Sequence, residues 1–257
     1  MIIPTLARPQ TVHPDLKEVV INRNTKLMIL MVVTPMMVIC CLLVLGRSAA
    51  AQSVRSESDN GGWSQDEKQM IRIGLAVAPV PLNMAHKDKD MVGLGSYLVN
   101  VTNDCNGCHS NGPATQFLLT GNPYLRQPPF SGTTTTNPAT YLGGGRDFGP
   151  FPGPQSPLHI VSRNLTPDKS GLPEGGHTLA EFIQIIRTGV DMDHAHPNCP
   201  TNAPNCMPPP FDGDKLQIMP WPAYRLMTER QLTAIYTYLK AIPCLEGGPG
   251  EPFPRCQ

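Results

Sequence analysis

The chain has 257 residues, of which 29 are proline and 23 are glycine, so ordered loops rather than regular elements fill much of it. Only 16% of residues are charged and 20 Lys/Arg balance 20 Asp/Glu, which excludes a nucleic-acid binder working through a basic surface and a disordered polyelectrolyte. An apolar content of 40% suffices for one domain with long loops or tails, and the eight cysteines point to disulfides, a metal or cofactor site, or a mixture.

Residues 27–46, LMILMVVTPMMVICCLLVLG, form an uncharged run between Lys26 and Arg47. Its length is that of a bilayer span. Arg8, Lys17, Arg23 and Lys26 precede it against only Asp15 and Glu18, so the positive-inside rule keeps the N-terminus in the cytoplasm and sends the rest across. Ser48-Ala49-Ala50-Ala51 then offers a signal-peptidase site, and residues 1–51 read either as a cleaved signal peptide or as an uncleaved membrane anchor. Cys40 and Cys41 fall inside the run and read as small buried hydrophobes. Either way, the chain from Gln52 onward belongs to the periplasm or the outer face of the cytoplasmic membrane. That exported part holds 15 Lys/Arg against 18 Asp/Glu, a mildly acidic surface.

Residues 52–64 are polar and Gly/Ser-rich and read as a linker. Residues 65–87 have weak helical spacing, with Pro79 and Pro81 set against a helix, and read as a strap packed on the main domain. The pattern Leu94, Tyr97, Leu98, Val101 predicts a helix over 91–103, running directly into Cys105. From Gly121 to Gly176 the chain is mostly Pro/Gly-rich loop. Thr178 with Glu181 forms a capping box for a helix ended by Gly189, and Thr228 with Gln231 caps a last helix that Pro243 stops. Between them lies a stiff segment, Gln217-Ile218-Met219-Pro220-Trp221-Pro222, too proline-rich to be helical.

Cys105-Asn106-Gly107-Cys108-His109 is a C-x-x-C-H motif. Two thiols on one tight turn suit addition to the two vinyl groups of a haem, with the adjacent imidazole as an iron ligand. A thioredoxin-like pair needs a strand and helix context missing here, and a zinc ribbon needs a second C-x-x-C. Whether the sixth iron position is filled separates an electron carrier from a haem enzyme or gas sensor. Of the seven methionines after residue 52, Met219 on its rigid segment is the first candidate; Met207, His194, His196 or an open site are the alternatives.

A helix, C-x-x-C-H, a Pro-flanked Met and a capped C-terminal helix together resemble class I cytochrome c. The segments YLGGGRDFGPF (141–151), SRNLTPDKSGLPEGGHTLAEFIQIIRTGVD (162–191) and MPWPAYRLMTERQLTAIYTYLKAIP (219–243) are similar to the haem domains in cytochrome c subunits of membrane-associated alcohol and gluconate dehydrogenases. The resemblance covers about residues 90–243. It implies a mostly α fold with Pro/Gly-rich loop insertions, a monohaem domain over 88–243, and one covalent haem c on Cys105 and Cys108. His109 and Met219 become its axial ligands, and Asn164, Thr166 and Pro167 a loop near the haem. It further implies that Gly95 and Tyr97 on the first helix meet Tyr236 and Leu239 on the last. The expected role is single-electron transfer, without catalysis of its own, between a dehydrogenase or membrane complex and a terminal acceptor. The alternatives are a haem enzyme or sensor with an open sixth site, or a fixed subunit of a dehydrogenase complex. Those subunits usually carry three haem domains, whereas this chain has one C-x-x-C-H.

Four cysteines remain. In an oxidising compartment the local pairings Cys199–Cys206 and Cys244–Cys256 are the simplest of three connectivities, the second tethering the tail 244–257 to the last helix.

Overall fold

Helix α1 (Gln65–Val77) replaces the strap expected at 65–87. In the computed structural model, which describes residues 62–112, 114–126, 132–199, 206–247 and 254–257, the Ser64 hydroxyl accepts a hydrogen bond from the Glu67 amide and the Glu67 carboxylate accepts one from the Ser64 amide. This reciprocal capping satisfies two of the free donors of the first turn, and Asp66 and Glu67 favour the positive end of the helix. Pro79 and Pro81 lie beyond its end, so they terminate the helix rather than prevent it. The apolar run at 27–46 lies outside the described residues; among those described, no helix is long and apolar enough to cross a membrane.

Helix α2 (Lys89–Tyr97) is capped by Asp88, whose carboxylate accepts from the Asp90 and Met91 amides. It continues as a π-helical turn, Leu98–Thr102, close to the predicted end at 103. Its two neighbours are met through glycine. A Cβ on Gly74 of α1 would lie 1.9 Å from the Gly93 carbonyl oxygen, so the backbones of α1 and α2 touch. Ser96 secures the same contact by donating to the Gly74 carbonyl at 2.7 Å.

On the other side of α2 runs α6 (Glu229–Leu239), and there a Cβ on Gly95 would lie 1.9 Å from the Ala234 carbonyl oxygen. The expected crossing of the first and last helices is present, with Gly95 set against Ala234 and Tyr238. The Tyr97 amide lies against Gly74 of α1. Val92, Leu94, Val99, Leu232, Leu239 and Ile242 fill the space between, each nearly or wholly buried. Removing each such side chain from water contributes about 1.5–3 kcal/mol. A hydroxyl network closes the core: Tyr141 donates to Asn100 at 2.6 Å and lies 2.7 Å from the Tyr238 hydroxyl.

Helix α3 (Cys105–Cys108) is a single turn carrying the C-x-x-C-H motif. A two-stranded antiparallel ribbon follows in the long loop, β1 (Asp147–Pro150) on β2 (His159–Val161), pairing Asp147 with Val161 and Pro150 with His159. Helix α4 (Leu179–Thr188) has the predicted capping box and the predicted Gly189 at φ 70°. The segment after Met219 departs from expectation: Trp221–Tyr224 forms a one-turn helix, α5, because its proline falls at a first-turn position where no amide donor is needed.

Cys244 and Cys256 are joined as expected. Cys199 and Cys206 are both buried and their backbones are adjacent, with the Cys199 amide donating to the Met207 carbonyl at 3.2 Å, yet the structure forms no disulfide between them. Met207 sits in a separate small core with Leu158, Ile160 and Phe151.

Candidate functional site

The C-x-x-C-H turn is held by loops distant in sequence. Asp104 enters it in the left-handed region, φ 43°, and the His109 amide closes it onto the Cys105 carbonyl at 2.9 Å. Buried Asn106 accepts from the Leu142 amide at 2.9 Å, Arg146 donates to the Gly107 carbonyl, and the Gly144 amide donates to the His109 carbonyl at 3.0 Å. Gly144 is required there: its φ is 70°, and a Cβ would lie 2.4 Å from the Arg163 carbonyl carbon. The segments 141–146 and 162–165 therefore both lie on this turn.

The turn opens onto a cleft. Cys105, Cys108, His109 and Met219 all line it, between apolar walls that include Val99, Leu165, Phe182, Ile186, Leu232 and Leu239. Cys108 is exposed at the lip and Cys105 is half-buried. Burial pushes the Cys105 thiol up to about 12, with the Asp104 carboxylate and Cys108 adding to the effect. Burial holds the His109 imidazole below its usual range, so the ring is neutral. Its Nδ1 lies 2.7 Å from the Arg163 carbonyl oxygen and donates to it, which leaves Nε2 as the lone-pair nitrogen. That is the tautomer an iron ligand needs, and the backbone carbonyl at the other ring nitrogen holds the ring in place.

Met219 reaches the cleft on a strut braced at both ends. Its amide and carbonyl bond to Gln217 and Trp221, at 2.6 and 2.8 Å. The Trp221 ring covers Gly189, where any Cβ would fall 2.2 Å from the indole, and Trp221 Nε1 donates to the Leu216 carbonyl at 3.2 Å. Leu216 in turn donates to the Gly189 carbonyl at 2.7 Å. The end of α4 thus positions the methionine segment. Proline stiffness suggested a rigid strut from sequence; the Trp221–Gly189 contact that fixes it carried no local signal.

Of the alternative ligands, Met207 is buried away from the cleft and His194 is an exposed residue 3.5 Å from Asp214, whereas His196 lines the cleft. Met227, which sequence reasoning did not single out, lines it as well. The loop expected near the cofactor reaches the cleft through Ser162, Arg163 and Leu165. Asn164, Thr166 and Pro167 are buried behind that wall. Asn164 accepts from the Thr166 amide and donates to the Leu245 carbonyl, and the Thr166 hydroxyl accepts from the Leu245 amide. These residues bind the C-terminal tail to the back of the loop.

Sequence reasoning also passed over Arg163 and Glu174. Arg163 pairs with Asp191 and, at 2.8 Å, with Asp193, so one residue supplies the carbonyl for His109 and a guanidinium at the cleft wall. The donor set fits a haem: two sulfurs on one turn, a neutral imidazole with a free Nε2, a thioether, and apolar walls for a flat macrocycle. Among the described residues no group of three or more His, Cys, Asp or Glu is arranged to hold a metal ion directly. No protein-family profile, no curated protein and no solved structure matches the chain.

Proposed function

We propose that the protein is a monohaem c-type cytochrome of the class I kind that carries single electrons. The observation that carries this reading is the presence of Cys105, Cys108, His109 and Met219 in the walls of one apolar cleft, with the His109 tautomer set by the Arg163 carbonyl. Cys105 and Cys108 would hold the porphyrin covalently, and His109 and Met219 would be the axial pair. A haem so ligated supplies one-electron chemistry at a potential raised by the thioether.

What the chain contributes is rigidity and exclusion of water. His109 is fixed by a backbone carbonyl and Met219 by the braced strut, so neither ligand needs to move as charge changes. The apolar walls favour the less charged oxidation state, while the exposed lip at Cys108 gives a partner access. The export signal expected at 27–46 agrees with this chemistry, because c-type attachment occurs on the far side of the cytoplasmic membrane. The reading includes redox-protein partners there: a dehydrogenase or membrane complex as donor and a terminal acceptor.

The test is expression with the covalent haem-attachment machinery. Haem that stays with the denatured polypeptide, a near-infrared sulfur-to-iron charge-transfer band when oxidised, and no carbon monoxide binding when reduced are the expected results. Ready carbon monoxide binding by the wild-type protein sinks the carrier reading in favour of an open-site enzyme or sensor.

A further inference from the structure

One stretch of the cleft wall is charged, and its charges do not balance. Three carboxylates, Glu174, Asp191 and Asp193, surround the Arg163 guanidinium, which is taken up by ion pairs to Asp191 and Asp193. Glu174 is only 6% exposed and lines the cleft. Among the described residues its Oε2 has no hydrogen-bond partner, and neither has Nδ1 of His196 on the same wall. The Glu174 backbone is held in the left-handed region, φ 52°, which a non-glycine residue seldom adopts. The buried His177 ring anchors it, donating from Nδ1 to the Glu174 carbonyl at 2.7 Å, with Nε2 3.7 Å from Asp193.

An ionised carboxylate buried without a cation of its own is costly, so the neutral acid is favoured at Glu174. Burial pushes this carboxyl up to about 7; Arg163 opposes the shift, and Asp193 and Asp191 add to it. A change of one charge elsewhere in the same low-dielectric cleft shifts that balance, and the coupling is reciprocal.

We propose that Glu174 takes up one proton from solvent when the iron of a haem in this cleft gains one electron, and returns the proton when the iron is oxidised. This inference rests on the haem reading above. The balance is one electron from a redox-protein donor plus one proton from water, converting ferric iron and the Glu174 carboxylate into ferrous iron and the Glu174 carboxylic acid. The only bond made is O–H. The other groups facing Glu174 are Arg163, Asp191, Asp193 and His177, with His196 on the same wall and the haem's own carboxylates as competitors for the proton.

The experiment is a spectroelectrochemical titration of the haem-loaded protein from about pH 5 to 9. The midpoint potential is expected to fall with pH around neutrality, with a slope approaching about 59 mV per tenfold change in proton activity. Glu174→Gln should flatten that slope, and Glu174→Asp should restore part of it. A flat wild-type potential, or a slope unchanged in Glu174→Gln, overturns the proposal. Should the glutamine variant fail to accumulate, the reduced-minus-oxidised infrared spectrum of the wild-type protein decides: a carboxylic-acid carbonyl band gained on reduction and moved by deuterium is expected, and its absence overturns the proposal. Absence of covalent haem defeats the carrier reading itself, whereas bound haem with a flat potential defeats only this inference.

Discussion

The His109 imidazole donates from Nδ1 to the Arg163 carbonyl at 2.7 Å, linking a residue of the C-x-x-C-H turn to a loop 54 positions later in the chain. That bond fixes the ring without help from Met219, which arrives from a different element on the Trp221–Gly189 brace. Removing the thioether therefore should not release the imidazole. Met219→Ala is expected to retain covalent haem and histidine ligation, lose the near-infrared sulfur band, and bind carbon monoxide when reduced. If Met219→Ala keeps the band, Met227 is the sulfur donor, since it is the other methionine among the cleft-lining residues.

At Gly95 the backbones of α2 and α6 are in direct contact. An added Cβ would meet the Ala234 carbonyl oxygen at 1.9 Å and the Tyr238 Cβ at 2.7 Å, and the nearer obstacle is backbone that cannot rotate aside. Gly95→Ala should therefore cost at least about 3 kcal/mol, the upper end of ordinary overpacking, despite alanine's better helix propensity. Chemical denaturation of the variant reads this directly. A loss below about 1 kcal/mol would show that the two helices separate easily.

Features with a local cause were legible in the sequence. Thr178–Glu181 and Thr228–Gln231 announced two helix starts because a capping box is written in four consecutive residues, and Gly189 announced an end because a left-handed cap favours glycine. Ser64–Glu67 carried the same signal but sat beside a Gly/Ser-rich stretch and ahead of two prolines, so α1 read as a strap. Pairings distant in sequence were not legible. Nothing near Asn164 or Thr166 says that they bind Leu245, and nothing near Gly95 says that its partner is Ala234. The C-x-x-C-H turn and Met219 stood out in the sequence as candidates; the cleft whose walls hold both, and the Arg163 group in that wall, came from the tertiary structure.

Glu174 makes stability depend on pH with a defined sign. Its folded-state value of about 7 stands above the ordinary 4.5, so the folded protein binds more protons than the unfolded chain between the two. The stabilisation is complete below about pH 4.5 and is lost as pH rises through about 7. The interval corresponds to about 3 kcal/mol, at 1.36 kcal/mol per pH unit. Wild type should therefore lose stability relative to Glu174→Gln across this window. Parallel denaturation curves at about pH 5 and 8 test it, and an unchanged difference between the two proteins refutes the assignment.

The tail from Cys244 to Cys256 is tied down by more than its disulfide. Arg255 donates to the Thr166 carbonyl at 2.6 Å, the Lys169 amide donates to the Arg255 carbonyl at 2.9 Å, and Glu246 accepts from the Arg255 amide at 2.7 Å. These bonds lie on the outer side of the loop whose Arg163 and Leu165 face the cleft. The crosslink, spanning 12 positions, restricts the unfolded chain by about 3 kcal/mol on loop-closure entropy. The double variant Cys244→Ser/Cys256→Ser should lose roughly that much on denaturation. Its oxidised near-infrared band should persist, because the His109–Arg163 and Trp221–Gly189 contacts do not pass through the tail. Loss of the band together with stability would instead mean that the tail maintains the Arg163 wall, and with it the His109 orientation.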